Sequence, residues 1–390
     1  MQLDTLFVVL KLAERCNINC SYCYYYAPAY QDVYQRPPLI RPEVLQGAVE
    51  YLRQALEAHE IRALVIAFHG GEPTLLKAPL VDAFCRQLQA IVPAHVILKF
   101  AVQTNGVHFT QGWIELIQRH DIDVGISIDG LQAQHDRYRV DHRGRGTYER
   151  IASNIASLQK NLPHARRTLG TISVINPGAN VLEVYRNISG SLGISRVKFL
   201  WADRTHDTAP PPAGTGSDTI ESMLACFDHW LLNDQQRVSV ELFDTTIRAL
   251  MLEGSRATRA RPQRPPSIGL AILSDGTVRI ADEYMAADEW FKSQAALSLF
   301  TSHLSDWLQQ PHVQQVLAAE RTPPSACASC EFHGSCGGGD VASRYSARHS
   351  FDNLSVHCAE LKALHRHVAR RLKQGMQRCP PVLAEETTAP

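Results

Sequence analysis

A chain of 390 residues, 45% hydrophobic and 20% charged, has the apolar content of an ordinary globular protein and room for one large domain with an appendage or for two to three average ones, which excludes a disordered chain. Lysine plus arginine and aspartate plus glutamate balance at 39 each with no strong basic run, which excludes nucleic acid as the main partner, since phosphate binding needs a basic footprint. The chain opens with no export signal, and no apolar stretch nears the roughly 18–20 residues of a membrane span, so a cytoplasmic protein is expected.

Strands are predicted at Thr5–Lys11, Ala63–Phe68, Val96–Val102, Val124–Ile128, Gly170–Ile175 and Arg196–Trp201, where short apolar and β-branched runs occur. Helices are predicted between them, at Arg41–His59 with Pro42 at its start, then near Leu80–Ile91, Gly112–Arg119, Tyr148–Lys160 and Val181–Ser189. This alternation predicts a parallel, right-handed α/β array, either a doubly wound sheet or a partial (β/α)6 barrel. Beyond Trp201 the alternation stops. Thr208–Ser217 reads as a Pro/Gly loop, Thr219–Leu232 as a helix and Gly254–Pro266 as an Arg/Pro-rich linker. Ile268–Leu273 and Val278–Ile280 flank an Asp275-Gly276 turn and read as a β-hairpin, and helices follow at His312–Ala319 and Ser355–Lys373. The expected organisation is a barrel over residues 1–203, a helical bridge and linker over 204–266, a cysteine-bearing unit over 267–376 and a flexible tail over 377–390.

Ten cysteines are many for such a chain, and without an export signal they do not read as a disulfide framework. Cys85, Cys226 and Cys379 are scattered, but Cys16, Cys20 and Cys23 cluster near the start and Cys327, Cys330, Cys336 and Cys358 near the end. Three thiolates on a loop after a strand can wrap three corners of a [4Fe–4S] cubane and leave the fourth iron open, whereas four saturate it. An open iron can chelate the amino and carboxylate groups of a methionine moiety. A zinc knuckle short of one ligand is the alternative.

Further motifs end the predicted strands: His69-Gly70-Gly71-Glu72-Pro73, Gln103-Thr104-Asn105-Gly106 and Ser127-Ile128-Asp129-Gly130, followed by His135-Asp136-x-x-Arg139. The C-terminal ends of strands are where β/α barrels and open sheets build active sites. With Tyr22 just before the third cysteine, this set resembles the radical S-adenosylmethionine (AdoMet) superfamily over nearly the whole chain. The resemblance implies a partial (β/α)6 barrel, a [4Fe–4S] cluster on Cys16, Cys20 and Cys23, and AdoMet on its open iron. It also implies that the Gly70 and Gly71 carbonyls and Glu72 accept from the AdoMet ammonium. Tyr22, Gln103, Asn105, Ser127 and Asp129 would then line its methionine and ribose ends, and Arg139 would pair with its carboxylate.

Cys327-x2-Cys330-x5-Cys336, with Cys358 further on, resembles the SPASM extension of that superfamily, which carries auxiliary clusters. This chain departs from the usual pattern, with Asp340 four residues after the third cysteine, Ala281 after the hairpin and no cysteine in Arg256–Leu270. One auxiliary [4Fe–4S] cluster is therefore expected, with four-cysteine zinc as the alternative. Arg344-Tyr345-Ser346, Phe351-Asp352-Asn353-Leu354-Ser355-Val356-His357-Cys358 and the Lys198–Asp207 segment resemble the cyclophane-forming peptide maturases of the Xye, Grr and Fxs types.

That narrower resemblance implies a C–C bond between an aromatic ring and the β-carbon of a nearby residue in a ribosomal precursor peptide. Asp282, after the missing cysteine position, is the first candidate for the base, ahead of Asp203, His206, Asp207 and Asp340. Other radical AdoMet maturases, making thioethers or oxidising Cys or Ser as sulfatase maturases do, stay open, as does an electron carrier that has lost AdoMet. The expected partners are a precursor peptide with a leader and a flavodoxin- or ferredoxin-type electron donor. Strand one begins at once, so leader recognition is expected to use the body of the protein or a separate one.

Overall fold

The computed structural model describes residues 2–26, 28–176, 178–208, 215–255 and 267–378. Cys379, most of the expected tail and most of the Arg/Pro-rich linker lie outside the described residues. The strands are β1 (Gln2–Ala13), β2 (Ile18–Cys20), β3 (Glu60–Gly70), β4 (Ile97–Thr104), β5 (Asp123–Ser127), β6 (Arg139–Asp141), β7 (Leu169–Ile175), β8 (Arg196–Trp201), β9 (Ser239–Val240), β10 (Ser267–Ile272), β11 (Thr277–Ile280) and β12 (Leu297–Ser298). Ten of them form one sheet in the order β12-β11-β10-β1-β3-β4-β5-β7-β8-β9.

From β10 to β9 every neighbour pairs in parallel. Between β1 and β8, helices at Pro42–Ala58, Ala78–Ile91, Gln111–His120, Tyr148–Asn161 and Val181–Arg186 connect successive barrel strands. This is the partial (β/α)6 array expected. The register explains its two faces. Leu6, Val8 and Leu10 lie beside Leu64, Ile66 and Phe68, all fully buried on the helix-covered side. On the other side the row through Val9 continues with Ala67 and Ala101, and Gln103 lies beside Gly125 and Gly170. Small side chains there leave the inner face uncrowded, where a filled barrel would carry bulky branched ones.

The hairpin takes a place that its own residues do not announce. Strand β10 pairs in parallel with β1, so residues 267–280 extend the barrel sheet, and β11 and β12 follow antiparallel. A second, two-stranded ribbon pairs β2 with β6 antiparallel and sets Cys20 opposite Arg139. Among the described residues no helix is long and apolar enough to cross a membrane.

Candidate active site

The loop after β1 carries Cys16, Cys20 and Cys23, all half-buried. It is pinned by the β2–β6 ribbon, by Cys23 N–H donating to the Cys20 carbonyl (3.2 Å) and by His142 Nε2 within 2.9 Å of the Cys16 carbonyl oxygen. Burial pushes the Cys16 thiol up to about 12, and backbone and Asn105 hydrogen bonds pull it back. Burial also raises Cys20, against the pull of Arg139. A bound cluster reverses such a balance, because iron deprotonates its thiol ligands.

The GGEP segment folds tightly onto this loop. Gly71 N–H donates to the Ala13 carbonyl (2.8 Å) and Glu72 N–H to the Arg15 carbonyl (3.0 Å). A Cβ on Gly71 would lie 1.9 Å from the Tyr26 hydroxyl, and Gly70 has φ +134°. The paired glycines thus let strand β3 and the cysteine loop touch.

Glu72 is fully buried. Its Oε1 accepts from Thr74 N–H (3.0 Å), the Thr74 hydroxyl (2.6 Å) and the Thr104 hydroxyl (2.7 Å), and its Oε2 accepts from Asn105 N–H (2.8 Å). These four bonds engage about all of a carboxylate's acceptor positions. Burial raises this carboxyl and the four bonds lower it. Glu72 therefore fastens the β3 and β4 ends together. Asn105 extends the clamp, its Nδ2 donating to Asn17 Oδ1 (2.7 Å) and lying 3.5 Å from Cys16 Sγ. Gln103 Nε2 donates to the Ser127 hydroxyl (2.7 Å) on the inner face.

Asp129 and Arg139 meet through Tyr22. The Tyr22 hydroxyl donates to Asp129 Oδ2 and accepts from Arg139 Nη1 at 2.9 Å. Asp129 N–H donates to His135 Nδ1 (3.2 Å), so the His135 proton sits on Nε2 and goes to the Thr147 hydroxyl, which donates to the Arg139 carbonyl. Burial, helped by Arg139, lowers His135 to about 3 and keeps it neutral. Asp136 accepts from Thr147 and Tyr148 N–H, opening the next helix. Every named position of the HDxxR motif thus supports one network.

Arg139 is buried, yet its Nε has no hydrogen-bond partner. A buried guanidinium with an unused donor suits a carboxylate ligand, so these residues fit AdoMet. Asp129→Ala and Arg139→Ala should each weaken AdoMet binding by about 1.5–3 kcal/mol with iron content unchanged. Equilibrium binding to the reconstituted variants, beside an iron assay, checks this.

The C-terminal cysteines also gather. Burial pushes the Cys327 thiol up, and Cys358, Cys336 and Cys330 push it further. Gly337, Gly338 and Gly339 all take positive φ, turning their carbonyls onto buried Arg344, which donates to all three and to the Ala319 carbonyl. Asn353 Nδ2 donates to the Arg344 carbonyl, the Ser346 hydroxyl and the Ser350 carbonyl. The CGGG, RYS and FDN segments are thus the frame that presents the cysteines. Among the described residues no three His, Cys, Asp or Glu side chains converge closely enough to share one metal ion. A cubane asks for a different spacing, one thiolate on each of separate irons.

Asp282 follows β11 and forms an ion pair with Lys11 of β1. Lys11 also lies 3.2 Å from His69 Nδ1 and 4.2 Å above the Tyr25 ring. Burial raises Tyr24, next to Cys23, and Asp282, Asp203, Cys23 and Glu283 raise it further. Burial and Asp340 push Asp203 up to about 6, and burial, Asp340 and Glu320 push Glu283 up to about 7. Of the other base candidates, Asp207 accepts from Ala347 N–H (2.8 Å), and His206 Nε2 lies 2.7 Å from the Leu354 carbonyl oxygen. Both tie the loop after β8 to the C-terminal segment. Asp340 accepts from Ala342 N–H at 3.1 Å.

Lys11, Tyr24 and Glu283 were not singled out in the sequence. Lys11 alone leaves a trace there, as a cation ending the apolar run TLFVVLK.

Residues 10–184 match the family model described as Radical SAM superfamily. That stretch is a little under half of the chain. The chain is also 22% identical over 371 residues to a cysteine-type anaerobic sulfatase-maturating enzyme of Clostridium novyi, spanning 93% of this chain and 94% of that one. A serine-type anaerobic sulfatase-maturating enzyme of Bacteroides thetaiotaomicron is 28% identical over 159 residues, 40% of this chain and 37% of that one. Among solved structures, native anSMEcpe with bound AdoMet superposes with a TM-score of 0.77 at 20% identity, over 96% of this chain and 99% of that one. Streptococcus suis SuiB bound to AdoMet gives 0.56 at 14% identity, over 87% of this chain and 73% of that one. The likeness of fold to these structures extends beyond residue 184 through the C-terminal extension.

Proposed function

We propose that this Radical SAM chain is a maturase that oxidises a side chain of a peptide or protein at its β-carbon, as Cys and Ser are oxidised in sulfatase maturation. The match to the Clostridium novyi enzyme along nearly the whole of both chains carries this reading. The ion pair that joins Asp282 to Lys11 of the first strand supports it. Cys16, Cys20 and Cys23 would hold the AdoMet-binding cluster, and Gly70, Gly71, Tyr22, Gln103, Asn105, Ser127, Asp129 and Arg139 would shape the AdoMet pocket. Cys327, Cys330, Cys336 and Cys358 would hold one auxiliary cluster. When bound, AdoMet and a reduced cluster would supply the radical chemistry that removes a hydrogen atom from an unactivated C–H.

Asp282 would take the proton that leaves the substrate, and a bound, oxidised iron–sulfur cluster would supply the acceptor for one electron. From serine this leaves an aldehyde. From cysteine it leaves a thioaldehyde, which water converts to the aldehyde with release of hydrogen sulfide. A flavodoxin- or ferredoxin-class protein would provide the reducing electron.

Cyclophane formation is the second reading, favoured by the Asp340 and Ala281 positions and by the FDNLSVHC segment. Here one hydrogen leaves the β-carbon and the other the aromatic ring carbon, and a ring–Cβ bond forms. Reconstituted enzyme with AdoMet and dithionite should be given peptides containing Cys, Ser, or an aromatic residue near the end of a leader, then analysed by mass. A product that labels with a hydrazide reagent supports the first reading. Loss of two hydrogens without labelling, with backbone fragments missing between two residues, supports the second. AdoMet cleavage with every peptide unchanged overturns both.

A further inference from the structure

We infer that Lys11, a buried cation on the first strand, is the positioning residue for Asp282 and fixes where its carboxylate sits. The inference rests on the reading of Asp282 as proton acceptor. Lys11 is 0% exposed and the Asp282 side chain 10%, so the pair is largely removed from water. A buried ammonium is strongly unfavourable unless it is paired. Asp282 is the carboxylate with which Lys11 pairs, and it comes from a segment 271 residues away.

The remaining neighbours leave the ammonium no second anion. His69 Nδ1 is 3.2 Å from Lys11 Nζ, and burial together with Lys11 lowers this imidazole to about 3, so it stays neutral and offers a lone pair. The Tyr25 ring lies beneath Nζ at 4.2 Å, a cation–π contact, and its hydroxyl is turned away to Glu14. Three neighbours therefore fix the position of Nζ. The ion pair carries that position over to the Asp282 carboxylate, whose other oxygen remains for a substrate proton.

In-register pairing of Lys11 with His69 across β1 and β3 explains why the lysine points inward. The two side chains share one face of a parallel sheet, and β10 on the other side of β1 leads through β11 to Asp282. The geometry needs the charge of Lys11 as much as its length. Packing and charge therefore rank substitutions in opposite orders. Methionine copies the unbranched stem and packs well in irregular space, whereas arginine keeps the charge but adds bulk.

Two measurements on reconstituted holoenzyme test this. Urea unfolding of Lys11→Met, Asp282→Asn and the double variant needs no substrate. The double variant should be more stable than the sum of the two single losses predicts, and additive losses would overturn the pairing. Product formation is then measured with whichever Cys, Ser or aromatic peptide the wild type modifies. Lys11→Met should lose roughly 10- to 100-fold in product while AdoMet cleavage continues, the scale expected when a reacting group is misplaced. Lys11→Arg should recover part of that loss. Methionine performing as well as or better than arginine would make Lys11 a packing residue and sink the inference. If Asp282→Asn keeps normal product, the reading of Asp282 fails instead. A loss in Asp282→Asn with none in Lys11→Met overturns the role of Lys11 alone.

Discussion

Asp282→Asn is expected to uncouple AdoMet cleavage from product formation, with product falling by roughly 10²–10⁴-fold, the usual effect of removing a general base. Cleavage depends on the Cys16, Cys20 and Cys23 loop and on the network of Tyr22, Asp129 and Arg139, neither of which contains Asp282. The amide keeps the shape of the side chain, and its oxygen still accepts from Lys11, so the local packing should hold. What it loses is the capacity to take a proton. Measuring 5′-deoxyadenosine and modified peptide in the same reaction decides the matter. A normal product yield would return the search to Asp203, Glu283 and Asp340, whose charges act on one another.

Replacing Cys16, Cys20 and Cys23 together by Ala should abolish AdoMet cleavage and lower the iron content from about eight to about four per chain. Four irons that survive this change would reside on Cys327, Cys330, Cys336 and Cys358, whose thiols already crowd one another. Total iron, sulfide and zinc analysis after anaerobic reconstitution checks it. Zinc in place of the residual iron, or about twelve irons in the unmodified protein, would overturn a single auxiliary cluster.

The six barrel strands were legible because each is a run of five or more residues whose apolar content stands out from its flanks. Strands β2, β6, β9 and β12 have two or three residues each, too short for any periodicity. Missing the β2–β6 ribbon also hid why Arg139 lies against the cysteine loop. Asp275-Gly276 announced a hairpin, but nothing in Ser267–Ile272 says that it joins β1 and so enlarges the barrel sheet. The site motifs were found by their order. That Glu72 and the two glycines also bind one loop to another was not legible, because spacing along the chain does not show contacts within the protein. The Lys11–Asp282 pair was beyond reach for the same reason that the hairpin's destination was.

Because β1 lies between β3 and β10, it gains its second neighbour only when residue 267 has been made. At ordinary rates of synthesis that interval is on the order of tens of seconds. During it, the nascent chain shows an apolar edge with open amide and carbonyl groups, the kind of surface on which chains aggregate. Lys11 compounds the exposure, since its countercharge arrives with the same late segment. Truncated forms ending before the hairpin should therefore be trapped by chaperones or precipitate, even though they contain all six barrel strands.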